Sequence, residues 1–498
     1  MLCYGVLFFW VIHIALGSII VTDSEKSPSV IIVGAGAAGI AAASKLYQNG
    51  FKDVKIFEAD GRIGGRIYST LFHNQMVDMG GQWVHGEKGN IVFESAWPHG
   101  LLERGNFLDG QFELFDSSGK KMNQSVADDL KKFFFQTVDN LDQYAQRRNG
   151  PIGQHFLNEF EKYFKAHPYL KNDANGLLHL FDKIDMEEDG GDTWWDVSTR
   201  NVIQYIKSPG ANQLNWKNRT YFTILDILMK RFPNPKEELP NMNNTILNSE
   251  VTLIYNNEKF DRVTVTTADG GIYSANHVIV TVSLGVLKEK HTKLFYPPLP
   301  SEKVKAINGM GFGNEAKIFL SFDKPWWKHK DPGFYFYWKD EDRAQIEKEP
   351  EKKWLLGLNR FSFVDHRPGL LYGWLSGNYS QEMELIPKEK VFNHIIEALQ
   401  RFMGKHYNIT KPTGMIRSKW NSKANFRGAY TYLLTNDILP STLAQPIGKR
   451  KPRILFAGEA THSHFFSTVH GAIESGFREA DRLIKLYPHL KNNKLSTN

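Results

Sequence analysis

The fold of this chain is decided by the stretch Val30-Ile31-Ile32-Val33-Gly34-Ala35-Gly36-Ala37-Ala38-Gly39-Ile40. Its short run of Val and Ile is typical of a strand that is buried on both faces of a parallel sheet. The run stops at Gly34, and an alanine-rich segment with helix-forming composition follows over 40–46. The sequence therefore predicts a strand, a tight glycine turn and a helix.

The spacing of this turn, G-x-G-x-x-G, predicts a pyrophosphate-binding site. Gly34 permits the turn, Gly36 lets the backbone approach phosphate oxygens, and Gly39 lets the helix pack closely on the strand. A second predicted strand, 54–57, ends at Glu58, where an acid accepts hydrogen bonds from the ribose hydroxyls of an adenosine. The alternative is a structural strand–turn–helix that binds no ligand.

Length and charge limit the class of protein. The chain has 498 residues, which favours two or three domains. Its hydrophobic content of 41% and charged content of 23% are those of an ordinary globular protein. The net charge of +7 is spread along the chain, and this argues against nucleic acid as the main partner. No metal ligands are predicted.

The N-terminal 22 residues predict a secretory signal peptide. They contain no Asp, Glu, Lys or Arg, and the apolar run 6–21 includes the small residues of 15–18. Because a basic segment is missing, an uncleaved membrane anchor is the alternative. The single cysteine, Cys3, lies inside this segment, so the mature chain would contain no thiol.

Other signals also favour secretion. The C-terminal residues 494–498 form neither a peroxisomal nor an ER-retention signal. Five N-x-S/T triplets, the acceptors of N-linked glycans, begin at Asn123, Asn218, Asn243, Asn378 and Asn408. We therefore expect an extracellular or luminal glycoprotein.

Two further glycine segments follow Glu58. The first, 61–66, offers backbone N–H groups and the guanidinium of Arg66 to a pyrophosphate. The second, 77–86, has a glycine pair that would let a flat ring lie against the backbone. It ends near His85, for which a surface role and a catalytic role both stay open.

The middle of the chain changes character. Segments 128–145 and 158–164 have helical periodicity, so 101–240 is predicted to be a mainly helical insertion. The acidic run 185–192 is expected to be a solvated loop, or, less simply, a funnel that attracts a cationic substrate. Strands return over 251–287 as a small meander leading to a buried strand.

The last third contains candidate pocket residues. Lys317 begins an apolar strand, and an outward or an inward side chain is equally compatible with the pattern. Trp420 and Tyr430 are candidates for the walls of a pocket for a planar ring or an amine, or for ordinary core residues. A predicted helix with a Ser/Thr cap runs to about Leu486, and its N-terminus would stabilise negative charge on a cofactor.

With these motifs together, the chain resembles the flavin-dependent amine oxidases, in particular the polyamine oxidase group that includes animal spermine and N1-acetylpolyamine oxidases. The segments that carry the resemblance read IIVGAGAAGIAAA, IFEADGRIGGRI, MGGQWVHG, VIVTVSLGVLK, GFGNEAKIFL and ILFAGEATHSHFFSTVHGAIESG. The resemblance implies an α/β and α+β architecture. A discontinuous Rossmann-like FAD-binding domain would be interleaved with a mixed substrate-binding domain.

This architecture implies a division of the chain. After the signal peptide at 1–22, the FAD-binding domain would comprise 28–100, 241–324 and 412–490. The substrate domain would comprise 101–240 and 325–411, and 491–498 would form a tail.

The resemblance also implies roles for individual residues. Lys317, which would hold a water near the flavin N5, and His85 match active-site positions of the family. The substrate pocket would include Tyr430, Trp420, Thr468 and Gln204. The residues implied to bind FAD are Gly34, Gly36, Ala38, Gly39, Glu58, Arg66, Gly80, Gly81, Gln82, Trp83, Val251, Trp420, Glu459, Thr468 and Val469.

The implied reaction is oxidation of a polyamine by O2, giving an aminoaldehyde, a shorter amine and H2O2. Position 429 is Ala where monoamine oxidases attach FAD through Cys, so non-covalent FAD is expected. Gln204 stands near where the animal enzymes carry a tunnel glutamate, which weakens the expectation of spermine preference. The alternatives are an oxidase of another amine or an L-amino acid, or a secreted flavin-fold protein with little turnover. A monomer or weak dimer with no stable membrane span is expected, provided that the signal is cleaved.

Overall fold

The computed structural model describes residues 27–492 except 106–111, 258–261, 329–332, 365, 436–437 and 449. The predicted signal peptide and Cys3 lie outside the described residues, as does most of the predicted tail. Among the described helices, none combines the length and the apolar composition needed to cross a bilayer.

A parallel sheet of five strands contains the N-terminal motif. The predicted first strand, Val30–Val33, is confirmed and lies in the middle with all four residues buried. Every neighbouring pair in this sheet is parallel. The strands lie in the order Ile454–Phe456, His277–Val280, Val30–Val33, Val54–Phe57 and Thr245–Ile246.

The helix after the glycine turn, Ala37–Gln48, is also confirmed. It packs against the C-terminal helix Val469–Leu486, which begins after its cap Thr468, as the sequence predicts. Two glycines permit close packing here. A Cβ at Gly39 would lie 2.0 Å from the Gly34 carbonyl oxygen, and one at Gly476 would lie 2.2 Å from the Ala38 carbonyl oxygen.

A second, mixed sheet has six strands. All its neighbouring pairs are antiparallel except the last, which is parallel. The strands lie in the order Gly414–Arg417, Glu315–Ser321, Leu370–Ser376, Leu358–Phe363, Gly333–Tyr337 and Phe112–Asp116. The expected boundaries at 324 and 412 therefore separate strands that share one sheet.

The predicted meander is confirmed as a four-stranded sheet. Three antiparallel strands, Ile272–Ala275, Arg262–Thr267 and Val251–Asn257, are joined by the short parallel strand Phe295–Tyr296. Residues of this sheet such as Ile254 and Val265 share a core with Ile31 and Val33, so it covers one face of the parallel sheet.

The middle of the chain is helical, as predicted. Its helices are Gln124–Asp139, Leu141–Ala145, Gly153–Ala166, Ala174–Asp189, Thr199–Gln204 and Thr223–Leu228. The part from Leu214 to Met229 belongs to the same core as the helix Ala37–Gln48. Part of the segment 101–240 therefore packs with the parallel sheet, so the two parts of the fold alternate along the chain in shorter segments than the sequence predicts.

One expectation about this region is wrong. The acidic run 185–192 was expected to be a solvated loop, but its first five residues end the helix Ala174–Asp189, and Asp185 is buried. The helix packs on strands of the mixed sheet, where Glu187 forms an ion pair with buried Arg360. Tertiary contacts of this kind override a polar local composition.

The other described elements connect these layers. The short strands are Ser69–Phe72 paired with Gln75–Asp78, Leu102–Arg104 with Leu214–Trp216, and Met310–Phe312 with Thr431–Leu433. The remaining α-helices are Ile91–Ala96, Leu284–Leu294, Ser301–Gly309, Asp340–Ile346, Asn378–Leu385, Lys388–Met403, Pro440–Leu443 and His489–Asn492.

We expect two alanine substitutions in the glycine turn to differ in stability. Gly39→Ala should lower the free energy of unfolding by about 2 kcal/mol or more, because its Cβ would overlap the Gly34 carbonyl. In protein freed of bound ligand, Gly36→Ala should leave it nearly unchanged, because the nearest atom to a Cβ there is 4.0 Å away. Urea unfolding of both variants measures this, and equal stabilities would contradict the packing described here.

Candidate active site

A cavity of about 1000 Å³ opens at the carboxyl end of the parallel sheet. Parallel α/β sheets usually bind ligands at this end, and the volume is at the upper end of the range for small-molecule sites, about 300–1000 Å³. The cavity begins at the glycine turn, where Gly34 lines it, and reaches Lys317 and Trp374 of the mixed sheet. It thus joins the two sheets in one site.

The first end of the cavity is bare backbone. Gly34 has φ +108°, a conformation that favours glycine, and Gly36 bridges to Gly64. A Cβ on Gly36 would meet nothing nearer than the Cα of Gly65, at 4.0 Å. Ala38, in the first turn of the following helix, also lines the cavity. Backbone N–H groups and a helix N-terminus are therefore placed where a phosphate group would fit.

Glu58 lies next to this turn and is buried. Its Oε2 accepts a hydrogen bond from the Ala35 N–H at 2.7 Å, and its Oε1 accepts one from the Asp60 N–H at 2.8 Å. Burial raises the pKa of the Glu58 carboxyl, while these backbone donors oppose the change. Val251 lines the same end of the cavity. The carboxylate is thus fixed in position, with acceptor capacity for further hydroxyl groups.

Arg66 and Glu459, expected as separate cofactor contacts, form an ion pair. The Nη1 of Arg66 donates to Glu459 Oε1 at 2.9 Å and also to the Ala429 carbonyl. Glu459 Oε2 accepts from the Ser467 N–H at 2.8 Å. Since a guanidinium has five N–H groups, Arg66 retains donors for an anion in the cavity, which it lines.

Lys317 points inward, which resolves the two orientations left open by its sequence. Its Nζ donates to the carbonyls of Asp78 at 3.2 Å and Gly80 at 2.7 Å, and to Gln82 Oε1 at 2.8 Å. The residue is 4% exposed. Burial lowers the pKa of Lys317 to about 7, with the charge of Asp78 acting in the opposite direction.

Aromatic rings surround this lysine. Trp83 and Trp374 stack at a centroid distance of 5.9 Å, and the Lys317 Nζ lies 5.1 and 5.0 Å from their ring centroids. A Cβ on Gly80 would lie 1.8 Å from the Arg66 carbonyl oxygen and 3.2 Å from the Trp420 ring. Glycine at position 80 is therefore required for the ring and the backbone to approach this closely.

Trp420 and Tyr430 both line the cavity. The buried carboxylate of Glu384 accepts from the Trp420 N–H at 2.7 Å and from the Ser422 N–H at 2.7 Å, which fixes the loop that carries Trp420. The Tyr430 hydroxyl donates to the Glu187 carbonyl at 2.8 Å. Both aromatic residues are thus wall residues and not only core residues.

The helix Val469–Leu486 directs its N-terminus at the cavity. The Thr468 Oγ1 accepts from the Gly471 N–H at 3.0 Å and donates to the Phe465 carbonyl at 2.7 Å. Thr468 and Val469 line the cavity. A Cβ on Gly81 would lie 3.3 Å from the Val469 side chain. The positive end of the helix dipole therefore faces the cavity.

His85 and Gln204 differ in placement. His85 is exposed at the cavity wall, with Nδ1 3.0 Å from the Asn212 carbonyl oxygen. Gln204 does not line the cavity: it ends the helix Thr199–Gln204, and its carbonyl accepts from His464 Nδ1 at 3.1 Å. The preceding turn contributes Asn201 instead.

Four of the acids that line the cavity come from the helix Ala174–Asp189, whose end was expected to be a loop. They are Asp185, Glu187, Glu188 and Asp189. Glu187 is neutralised by a buried ion pair with Arg360 and accepts from Asn359 Nδ2 at 2.8 Å. Burial and mutual repulsion raise the pKa of Asp185, and they raise that of Asp189 to about 7.

Sequence reasoning missed Arg360 and Glu315, which also line the cavity. A signal for Glu315 existed: it stands two residues before Lys317 in an apolar strand, so the two side chains share one face. No comparable local signal marks Arg360.

Comparison with known proteins identifies the family. The model of the family described as flavin containing amine oxidoreductase matches residues 37–193 and 238–484. The peroxisomal N(1)-acetyl-spermine/spermidine oxidase of Homo sapiens is 29% identical over 94% of this chain and 97% of its own. The protein of the same name from Bos taurus is 30% identical over 93% of this chain and 96% of its own.

A solved structure of putrescine oxidase bound to putrescine shows the same fold. It covers 92% of this chain and 99% of its own, with a TM-score of 0.66 and 19% identity. The family match spans most of the chain: it begins at Ala37, at the end of the glycine turn, and contains Lys317. The chain belongs to the flavin containing amine oxidoreductase family.

Proposed function

We propose that this protein is an FAD-dependent oxidase of polyamines that uses O2 and releases an aminoaldehyde, a shorter amine and H2O2. The observation that carries the proposal is the single cavity joining the glycine turn to buried Lys317. The printed names of the two relatives, which act on N1-acetylated spermine and spermidine, support the substrate class.

The residues present fit FAD. The space beside Gly36 would accept the pyrophosphate, with Arg66 as a further donor, and Glu58 would accept from the ribose hydroxyls. The helix beginning after Thr468 would stabilise negative charge on the ring system. No thiol lies in the described cavity, since Cys3 is the single cysteine, so the cofactor would be held without a covalent bond.

The chemistry requires an uncharged nitrogen at the reacting carbon. Bound FAD would supply the hydride acceptor and pass the electrons to O2. The rings of Trp83, Trp374 and Trp420 exclude water, and this desolvation together with the charge of protonated Lys317 beside the rings disfavours a second ammonium there. Neutral Lys317, whose pKa is near 7, can donate to only two of its three acceptors, so its lone pair would accept the proton that the substrate nitrogen gives up. Exposed His85 would orient the amine.

The outer cavity suits a substrate with several positive charges. The charges of Glu188 and Asp189 help to raise the pKa of Asp185, and the charge of Glu188 helps to raise that of Asp189, so an ammonium between these acids would relieve the repulsion. These acids, and not Gln204, would therefore contact the ammonium groups of the substrate. This arrangement favours a polyamine over a monoamine.

The cavity offers little to an L-amino acid. Such a substrate needs a guanidinium to bind its carboxylate, and the arginines that line the described cavity are Arg66 and Arg360. Both already pair with buried carboxylates, those of Glu459 and Glu187. Among the residues that line the cavity, Asp and Glu outnumber Lys and Arg, so the cavity would repel the carboxylate of an L-amino acid.

The proposal predicts a yellow protein that spermine bleaches in the absence of O2. With O2 restored, spermine, spermidine and N1-acetylspermine should yield H2O2, while a monoamine and an L-amino acid should yield little. Acid denaturation should release all the flavin into the supernatant, because no covalent bond holds it. A colourless protein that refuses added FAD, or one bleached only by an L-amino acid, would contradict the proposal.

Replacing Lys317 tests the proton acceptor. Lys317→Met should retain the yellow colour but lower kcat by about 100-fold, because proton transfer is lost. Since the neutral form of Lys317 increases as the pH rises through about 7, kcat/KM of the wild type should rise over this range. The rise in kcat/KM through about pH 7 should be absent in Lys317→Met. If the variant has the same pH profile as the wild type, Lys317 is not the proton acceptor.

We also infer that the protein is secreted and N-glycosylated. Support comes from the predicted signal peptide and from the exposure of the five sequon asparagines, Asn123, Asn218, Asn243, Asn378 and Asn408. The two relatives are peroxisomal by name, so this location would separate the chain from them.

Expression of the full chain in insect or mammalian cells tests this location. We expect enzyme in the medium, with an N-terminus near residue 18, and a loss of apparent mass after treatment with an N-glycosidase. Substitution of all five asparagines by Gln should abolish the mass change. Retention of unglycosylated protein inside the cell would contradict secretion.

A further inference from the structure

Glu315 is a buried acid that the reaction described so far does not use. It is the first residue of the strand Glu315–Ser321 and is 5% exposed. Because alternate residues of a strand share a face, its side chain lies on the same side as Lys317, about 7 Å further along the strand. Both residues line the cavity.

One oxygen of this carboxyl group is satisfied and the other is not. Trp374 Nε1 donates to Glu315 Oε2. The buried Oε1 has no hydrogen-bond partner among the described residues. A buried acceptor without a protein partner can accept a hydrogen bond from a water or from a ligand group.

The neighbouring cations are already engaged. The Nζ of Lys317 donates to two carbonyls and to Gln82. Arg360 pairs with Glu187, and Lys183 pairs with Asp182 at 3.1 Å.

The acids nearby oppose ionisation of Glu315. Burial and the charges of Glu187 and Asp192 raise its pKa well above the usual range, while Trp374 and Lys183 act in the opposite direction. A cation from outside the protein would therefore be especially favourable at this position, because it would offset both the burial and the repulsion.

We propose that Glu315 determines substrate specificity by binding the free terminal ammonium next to the reacting nitrogen, so that this enzyme prefers unacetylated polyamines to N-acetylated ones. This inference rests on the proposed oxidation of polyamines. A spacer of three or four methylenes between two nitrogens has a length comparable to the separation of Glu315 and Lys317 along the strand. One nitrogen would then react beside Lys317 while the next donates to Glu315 Oε1.

Acetylation would remove both parts of this interaction. An amide nitrogen carries no positive charge and has one N–H group, and the acetyl carbonyl would bring a second acceptor toward the carboxylate. The specificity would thus differ from that in the names of the two relatives, although these are similar to this chain over 93–94% of its length.

The test compares spermine with spermine acetylated at both ends, on wild-type holoenzyme and on Glu315→Gln. The substitution keeps the side-chain shape, and its amide oxygen still accepts from Trp374, so an N–H donor replaces the unpartnered acceptor Oε1. The wild type should prefer spermine in kcat/KM. The variant should lower this preference by about 10- to 100-fold, mainly through KM for spermine.

Two measurements separate specificity from general damage. Glu315→Asp keeps the charge and should retain most of the preference, while the flavin spectrum and Tm of both variants should match those of the wild type. A wild-type preference for the acetylated substrate, or an equal loss on both substrates in Glu315→Gln, would overturn the inference. If the wild-type holoenzyme oxidises neither substrate, the proposed function itself is wrong.

Discussion

The site depends on the burial of one ammonium group. Taking a lysine out of water costs several kcal/mol unless acceptors replace the water. Lys317 finds them in the carbonyls of Asp78 and Gly80 and in Gln82, on a segment that does not belong to its own sheet. The same three bonds that satisfy the charge therefore hold the mixed sheet against the glycine segment at the edge of the cavity.

That segment is in turn fixed by close backbone packing. Gly80 lies so near the Arg66 carbonyl that no side chain would fit, and the guanidinium of Arg66 reaches Glu459. Glu459 binds the backbone just before the capping residue Thr468. A continuous set of contacts thus links the lysine, the arginine and the helix N-terminus. A change at any one of them would move the others, which explains why residues far apart in the chain line one cavity.

The elements that local chemistry determines could be predicted from the sequence. A buried strand, a glycine turn and a threonine-capped helix each carry their signal within a few neighbouring residues, and all are observed. The orientation of Lys317 could not be predicted from its strand, because that strand is buried on both faces and alternation gives no direction. The acidic helix was misjudged for a related reason: its burial depends on Arg360, 173 residues away.

The distribution of charge in the cavity has a chemical consequence. A polyamine must be held through its ammonium groups but must react at a nitrogen that has lost its proton. Near Lys317 desolvation and the charge of the lysine itself disfavour a second positive charge, whereas the end of the acidic helix favours one. Glu187 does not disturb this division, because Arg360 neutralises it. The cavity therefore holds ammonium groups in one part and favours an unprotonated nitrogen in another. A polyamine bound along it would place the nitrogen that has lost its proton beside the tryptophan rings.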